Sequence, residues 1–224
     1  MATRQVLAEL TSSFSVRSGH TVAIESVGGV DAAKRVQAGE AFDVVILASD
    51  AIDKLIAAGS VVPGSRLDLV RSGVAVAVRA GDPLPDIASE AAVKRAVLAA
   101  KSISYSTGPS GVALANLFER WGIADDIKHR IVQAPPGVPA GSLVASGEVA
   151  LGFQQLSELL HVDGITIVGP LPTDIQVTTI FSAGLPVRRN TDGARAASVK
   201  AMLDFMASPA ADAVKRRQGM EPCQ

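Results

Sequence analysis

The chain has 224 residues, 48% of them hydrophobic and 19% charged, so it can bury a sizeable core as one large domain or as two small lobes. A formal net charge of −1, with lysine and arginine forming no run longer than three, excludes a long-range pull on phosphate backbones and argues against nucleic acid as a partner. Cys223 is alone, which rules out an internal disulfide or a cysteine-based metal site, and no apolar run approaches the ~20 residues of a membrane span.

Residues 3–18 carry apolar side chains at helical spacing (Val6, Leu7, Leu10, Phe14), and the alternation Thr21-Val22-Ala23-Ile24-Glu25 predicts a strand. Gly28-Gly29 breaks that pattern. A second helix is expected over 31–38, closed by Gly39, and a continuous apolar strand over 42–47. Next come a short helix over 51–58 ended by Gly59, a small-residue strand over 73–78 that stops at Gly81-Asp82-Pro83, a helix over 91–100, a strand over 102–105 and a helix over 112–121. The turn-rich piece 134–139 leads to a helix over 141–146, a strand over 150–153 and a helix over 156–160. Strands over 165–168 and 177–181 and a long helix over 194–207 complete the series.

Strands alternating with helices along the whole length predict an α/β fold with mainly parallel sheets flanked by helices. In such folds ligands settle outside the carboxyl ends of strands. Three strand-to-helix junctions therefore become candidate sites: Gly28, Gly29 and Val30; Ser106, Gly108, Ser110 and Gly111; and Gln154 with Gln155. The second is the most informative. A buried-looking strand, Ser102 to Tyr105, runs into hydroxyls and glycines and then opens a helix, which points peptide N–H groups and hydroxyls at one small volume suited to an anion or a carboxylate. Each junction also has a duller reading: a turn needing positive φ at Gly28-Gly29, helix caps at Ser106 and Ser110, and the start of an exposed helix at Gln154-Gln155.

Other chemistries find little support. His20, His129 and His161 are scattered with no carboxylate at metal-ligand spacing, so no metal is expected. The absence of a Walker loop, a dinucleotide fingerprint or a G-x-S-x-G element removes the common NTPase, dehydrogenase and hydrolase readings, and no cofactor is expected. Phe118 and Trp121 share a helix side with Leu114 and read as core.

The segments 36–47, 71–78, 147–153 and 208–211 together resemble the molybdate-type periplasmic substrate-binding proteins of ABC transporters. The likeness covers nearly the whole chain. It implies a two-lobed periplasmic-binding-protein fold, with one lobe built from residues 1–75 plus 179–224, the other from 76–178, and a small anion held in a cleft between them. It also implies a transporter permease as partner if the protein is exported. The amino terminus lacks the apolar core of a secretion signal, so the sequence as it stands reads as cytoplasmic, and as periplasmic if a signal segment was trimmed or missed.

Two departures shape the ligand expectation. The family opens with a short strand feeding the first ligand loop, whereas this chain starts inside that loop at Thr3 and Arg4, so the first strand appears missing. Where family members specialised for molybdate carry a Ser-rich pair and a hydroxyl-bearing aromatic, this chain has Gly28-Gly29 and Gln154-Gln155. Arg4 falls where the resembled proteins place a neutral hydroxyl, and its planar fork suits a carboxylate. Arg4 as a plain surface side chain is the alternative. A branch of the same family acts as an enzyme, aconitate isomerase, which moves a proton between carbons of a tricarboxylic acid. On that reading Tyr105, Glu158 and Asp31 are the candidates for the base. Three functions follow: a receptor for a small anion or organic acid, an isomerase of a polycarboxylic acid, and a cytoplasmic ligand sensor without transport.

Overall fold

The computed structural model describes residues 2–134, 138–187 and 192–223. The proline-rich piece 135–137 of the expected turn lies outside them. In chain order the elements are α1 (Arg4–Ser18), α2 (Gly29–Gln37), β1 (Val45–Ala48), α3 (Ser49–Ala57), β2 (Leu67–Arg79), α4 (Glu90–Ala99), β3 (Ile103–Tyr105), α5 (Pro109–Arg120) and α6 (Ala124–Ile127). They continue as α7 (Ala140–Ser146), β4 (Leu151–Gln155), α8 (Leu156–Leu159), β5 (Ile165–Pro170), β6 (Thr178–Gly184), α9 (Gly193–Ala207), α10 (Asp212–Arg217) and β7 (Glu221–Pro222). The chain divides into two compact units, Met1–Arg71 with Ile180–Gln224, and Ser72–Thr179.

In the first unit, α1 buries Val6, Leu7, Leu10 and Phe14 and stops at Gly19, whose φ of 75° closes the helix by an N–H bond to the Ser15 carbonyl. Val6, Leu7 and Leu10 share a core with Leu69, Val70, Leu203, Met206 and Met220. A second core gathers Val36, Val45, Leu47, Ile52 and Leu55, so α2 and α3 cover the same strand, β1. β1 pairs antiparallel with β6, Val45 facing Gly184, and the start of β2 pairs antiparallel with β7, Val70 facing Pro222.

The expected strand Thr21–Glu25 is absent. Those residues are irregular, four of the five are exposed, and Ile24 keeps 41% of its surface. Alternating side chains give a strand only where a neighbouring backbone supplies a ladder, and no ladder joins this segment to the described residues.

In the second unit, β2 pairs antiparallel with β4 (Val74 facing Gln155, Ala77 facing Gly152) and with β5, while β3 pairs parallel with β4. Parallel pairing is thus the minority among the described ladders, against the expectation of mainly parallel sheets. The crossing strands β2 and β6 contribute residues to both units and run against most of their partners. The core is Val74, Val76, Ile103, Leu114, Phe118 and Phe153, all at most 1% exposed, with Phe118 edge-on to Phe153 at 6.2 Å. Trp121 joins this cluster, its ring 5.8 Å from that of Phe118 and its indole N–H donated to Glu90 at 2.6 Å. The core reading of both aromatics holds.

Candidate functional site

In the second unit the parallel register Ile103 to Leu151 through Tyr105 to Phe153 aligns the carboxyl ends of β3 and β4. The loop after β3 and the pair Gln154-Gln155 are therefore neighbours. α5 opens with Pro109, whose missing N–H costs nothing in a first turn. Its N-cap is Gly108, and neither serine caps it: Ser106 Oγ and Ser110 Oγ lie 3.0 Å from each other instead. The capping reading of these serines gives way to a hydroxyl pair. Gly111 has a packing role. A Cβ there would stand 1.5 Å from the Ser106 carbonyl oxygen, so the loop closes onto α5 only because this residue has no side chain.

Gln154 and Gln155 do not begin an exposed helix. They end β4, and each is 3% exposed. Their amides do different work. Gln154 Oε1 accepts the N–H of Gly141 at 3.0 Å, fixing the first turn of α7. Gln155 Nε2 donates to Thr179 Oγ1 at 2.8 Å, while its Oε1 is buried with no hydrogen-bond partner among the described residues. A buried amide oxygen left open costs roughly 1–3 kcal/mol, which a donor from a ligand would recover. Ser72 and Ser157 bring two further hydroxyls to within 3.5 Å of each other.

Burial pushes the Glu158 carboxyl above its ordinary 4.5, against the pull of the Gln154 amide. Burial also pushes the Tyr105 phenol up from 10, so its phenolate is disfavoured and its ring serves packing, edge-on to Phe118 at 5.8 Å.

The remaining predicted residues belong to the first unit. Thr3 is buried, precedes α1 and accepts the Leu7 N–H on its carbonyl at 2.9 Å. Arg4 is exposed and makes no hydrogen bond or ion pair with the described residues. Gly28 caps α2 and Gly29 begins it. Neither has positive φ, so the strained-turn reading of the pair fails. A Cβ on Gly29 would meet only Leu47 Cδ2 at 3.7 Å, an ordinary contact. Glycine at these positions leaves the helix start bare. Val30 is 70% exposed and Asp31 is exposed in the first turn, where a negative charge complements the helix dipole.

Sequence reasoning missed three participants. Ala140-Gly141 starts α7 directly behind the prolines that mark a turn, which was a usable signal. Thr179 and Ser157 gave none, since a hydroxyl within a strand or short helix is indistinguishable from a surface one until its partner is known. No group of three or more His, Cys, Asp or Glu that could hold a metal occurs among the described residues. Among them, too, no helix is long and apolar enough to cross a membrane.

The family model for bacterial extracellular solute-binding proteins matches residues 1–221. The chain belongs to that family. This solute-binding protein is 39% identical to an aconitate isomerase from a Pseudomonas species over 191 residues, covering 84% of this chain and 70% of the relative. It is 26% identical to the molybdate-binding protein ModA of Azotobacter vinelandii over 220 residues, covering 94% of this chain and 83% of the relative. In three dimensions it resembles the solved periplasmic molybdate-binding protein of that organism with a TM-score of 0.79 at 23% identity, covering 100% of this chain and 96% of the other. That likeness establishes the two-lobed periplasmic-binding-protein fold.

Proposed function

We propose that this solute-binding protein holds a small organic acid. The observation that carries the reading is Gln155: a buried amide at a strand end, tied on one side to Thr179 and open on the other. A fully deprotonated oxyanion such as molybdate has no donor for an open carbonyl, whereas a hydroxy acid brings a hydroxyl donor as well as carboxylate acceptors. Within the same unit the hydroxyl pair Ser106 and Ser110 supplies complementary donors. On the receptor reading the loaded protein delivers its acid to an ABC-type permease in the periplasm.

A second reading is favoured by one observation, the 39% identity to an aconitate isomerase. Shifting a proton along a tricarboxylic acid needs a group that takes the proton from a carbon beside a carboxylate, and donors for the enolate-like charge that develops. Glu158, whose burial raises its pKa, fits the first need; the serine hydroxyls fit the second.

A calorimetric panel of molybdate, sulfate, citrate, cis-aconitate and trans-aconitate tests both readings. Binding of the organic acids with little response to molybdate is expected. Binding of molybdate alone refutes the organic-acid reading. Proton NMR of either aconitate left with the protein separates receptor from isomerase, since only an isomerase converts one isomer into the other.

A further inference from the structure

We infer that Thr179 is a positioning residue that lets Gln155 present either end of its amide to the ligand, so that the site takes acids bearing both carboxylate and hydroxyl groups. This rests on the organic-acid reading. The threonine hydroxyl both donates and accepts. In the arrangement observed, Gln155 Nε2 donates to Thr179 Oγ1 at 2.8 Å and Oε1 stays open, which suits an alcohol or a protonated carboxyl of the ligand. Turning the amide over about its last torsion exchanges the two ends. Thr179 then donates its O–H to Oε1, and Nε2 is free to donate to a carboxylate. The terminal torsion of glutamine is soft and the two ends are nearly equal in size, so the exchange needs no repacking around a side chain that is 3% exposed.

Gln154 shows by contrast what a fixed amide looks like. Its Oε1 is held by the Gly141 N–H, which can only donate. Reversal there would set donor against donor. Of two adjacent buried glutamines, one is therefore locked by a one-way partner and one is left reversible by a two-way partner. Reversibility has value for a ligand with both kinds of group, whereas a fully deprotonated oxyanion such as molybdate offers acceptors alone.

The test uses citrate and tricarballylate, which carry the same three carboxylates and differ by one hydroxyl. In titration calorimetry Thr179→Val is expected to weaken both by about tenfold, and Thr179→Ser, which keeps the hydroxyl, to stay within about twofold of the parent protein. Gln155→Glu presents acceptors only, so it should shift the ratio of affinities toward citrate by about tenfold, a change that general loosening of the fold does not produce. Thr179→Val binding like the parent, Thr179→Ser as weak as Thr179→Val, or an unchanged ratio in Gln155→Glu each overturns the inference while leaving the organic-acid reading intact. If Thr179→Val does not fold, the Gln155→Glu ratio decides. Failure of the parent protein to bind citrate, tricarballylate or either aconitate overturns the organic-acid reading and the inference with it.

Discussion

Gly111→Ala tests whether the loop after β3 is held shut by close backbone approach. The new Cβ would lie 1.5 Å from the Ser106 carbonyl oxygen, 2.7 Å from the carbon behind it and 3.2 Å from Tyr105 Cδ2. Even a close carbon–oxygen contact needs about 3.3 Å, so the deficit is about 2 Å. The atom in the way belongs to the backbone and cannot rotate aside. Relief requires pulling the loop off α5, at the expense of the Gly111 and Val112 N–H bonds to Gly108, at 3.0 and 3.1 Å, and of the Ser106–Ser110 contact. Overpacking of this kind costs about 1–3 kcal/mol, and weakened hydrogen bonds add about 1 kcal/mol each, which gives about 3 kcal/mol or more. For a chain of this length that is a fall of about 6–12 °C in Tm. Gly108→Ala is the control. Its φ of −82° suits alanine and its Cβ would meet only Ser106 Oγ at 3.8 Å, so it should cost about 1 kcal/mol or less. Circular dichroism melts of the three proteins decide the matter. Gly111→Ala melting with the parent, or Gly108→Ala melting as low as Gly111→Ala, would refute the reasoning.

Two further changes test buried charge. Lys215 is fully buried, its only carboxylate neighbour among the described residues is Asp212 at 3.6 Å, and its Nζ has no hydrogen bond there; burial pushes its pKa below the ordinary 10.5 while Asp212 opposes. The unfolded chain then binds more protons than the native one between the lowered value and 10.5, so stability rises with pH across that window. Lys215→Met should stabilise by about 1 kcal/mol at pH 7 and remove the rise, as read from urea unfolding at pH 7 and pH 10; a less stable variant at pH 7 contradicts this. Glu158 has the opposite sign: its raised pKa means the native state holds the proton longer, so stability falls as pH climbs from 4.5 through the raised value. Glu158→Gln should flatten that decline in melts taken from pH 4 to pH 8, and an unaltered slope would assign it to another group.

What could be read in advance, and what could not, divides along a physical line. Helices such as α1 and α9 were legible because a 3.6-residue repeat of apolar side chains is a local property, and the left-handed glycines that end α1, α2 and α3 are local too, with φ near 75° at Gly19, Gly39 and Gly59. Strand direction was not, because antiparallel and parallel partners ask the same residues of a buried strand. β2 was read as six residues and has thirteen. Its first half mixes Asp68, Arg71 and Ser72 into the apolar run, and Asp68 is accommodated only by Arg66 beside it and by Ser182, which lies 114 positions away. Thr21–Glu25 failed in the reverse direction, with the right local pattern and no partner to pair it.

The same line runs through the site. The residue types at the three junctions, small, hydroxylic or amide-bearing, were visible as types. Their division of labour was not, because it depends on what each atom faces. Ser106 and Ser110 look like caps until the 3.0 Å contact between them is known, and Gly111 looks like room for a ligand until the Ser106 carbonyl is found in that space. Gln154 and Gln155 are chemically identical in the sequence. A backbone N–H makes the first a strut; a hydroxyl makes the second adaptable. In a site built from neutral groups, then, selectivity is set less by which residues reach the ligand than by whether the partners behind them can give as well as take.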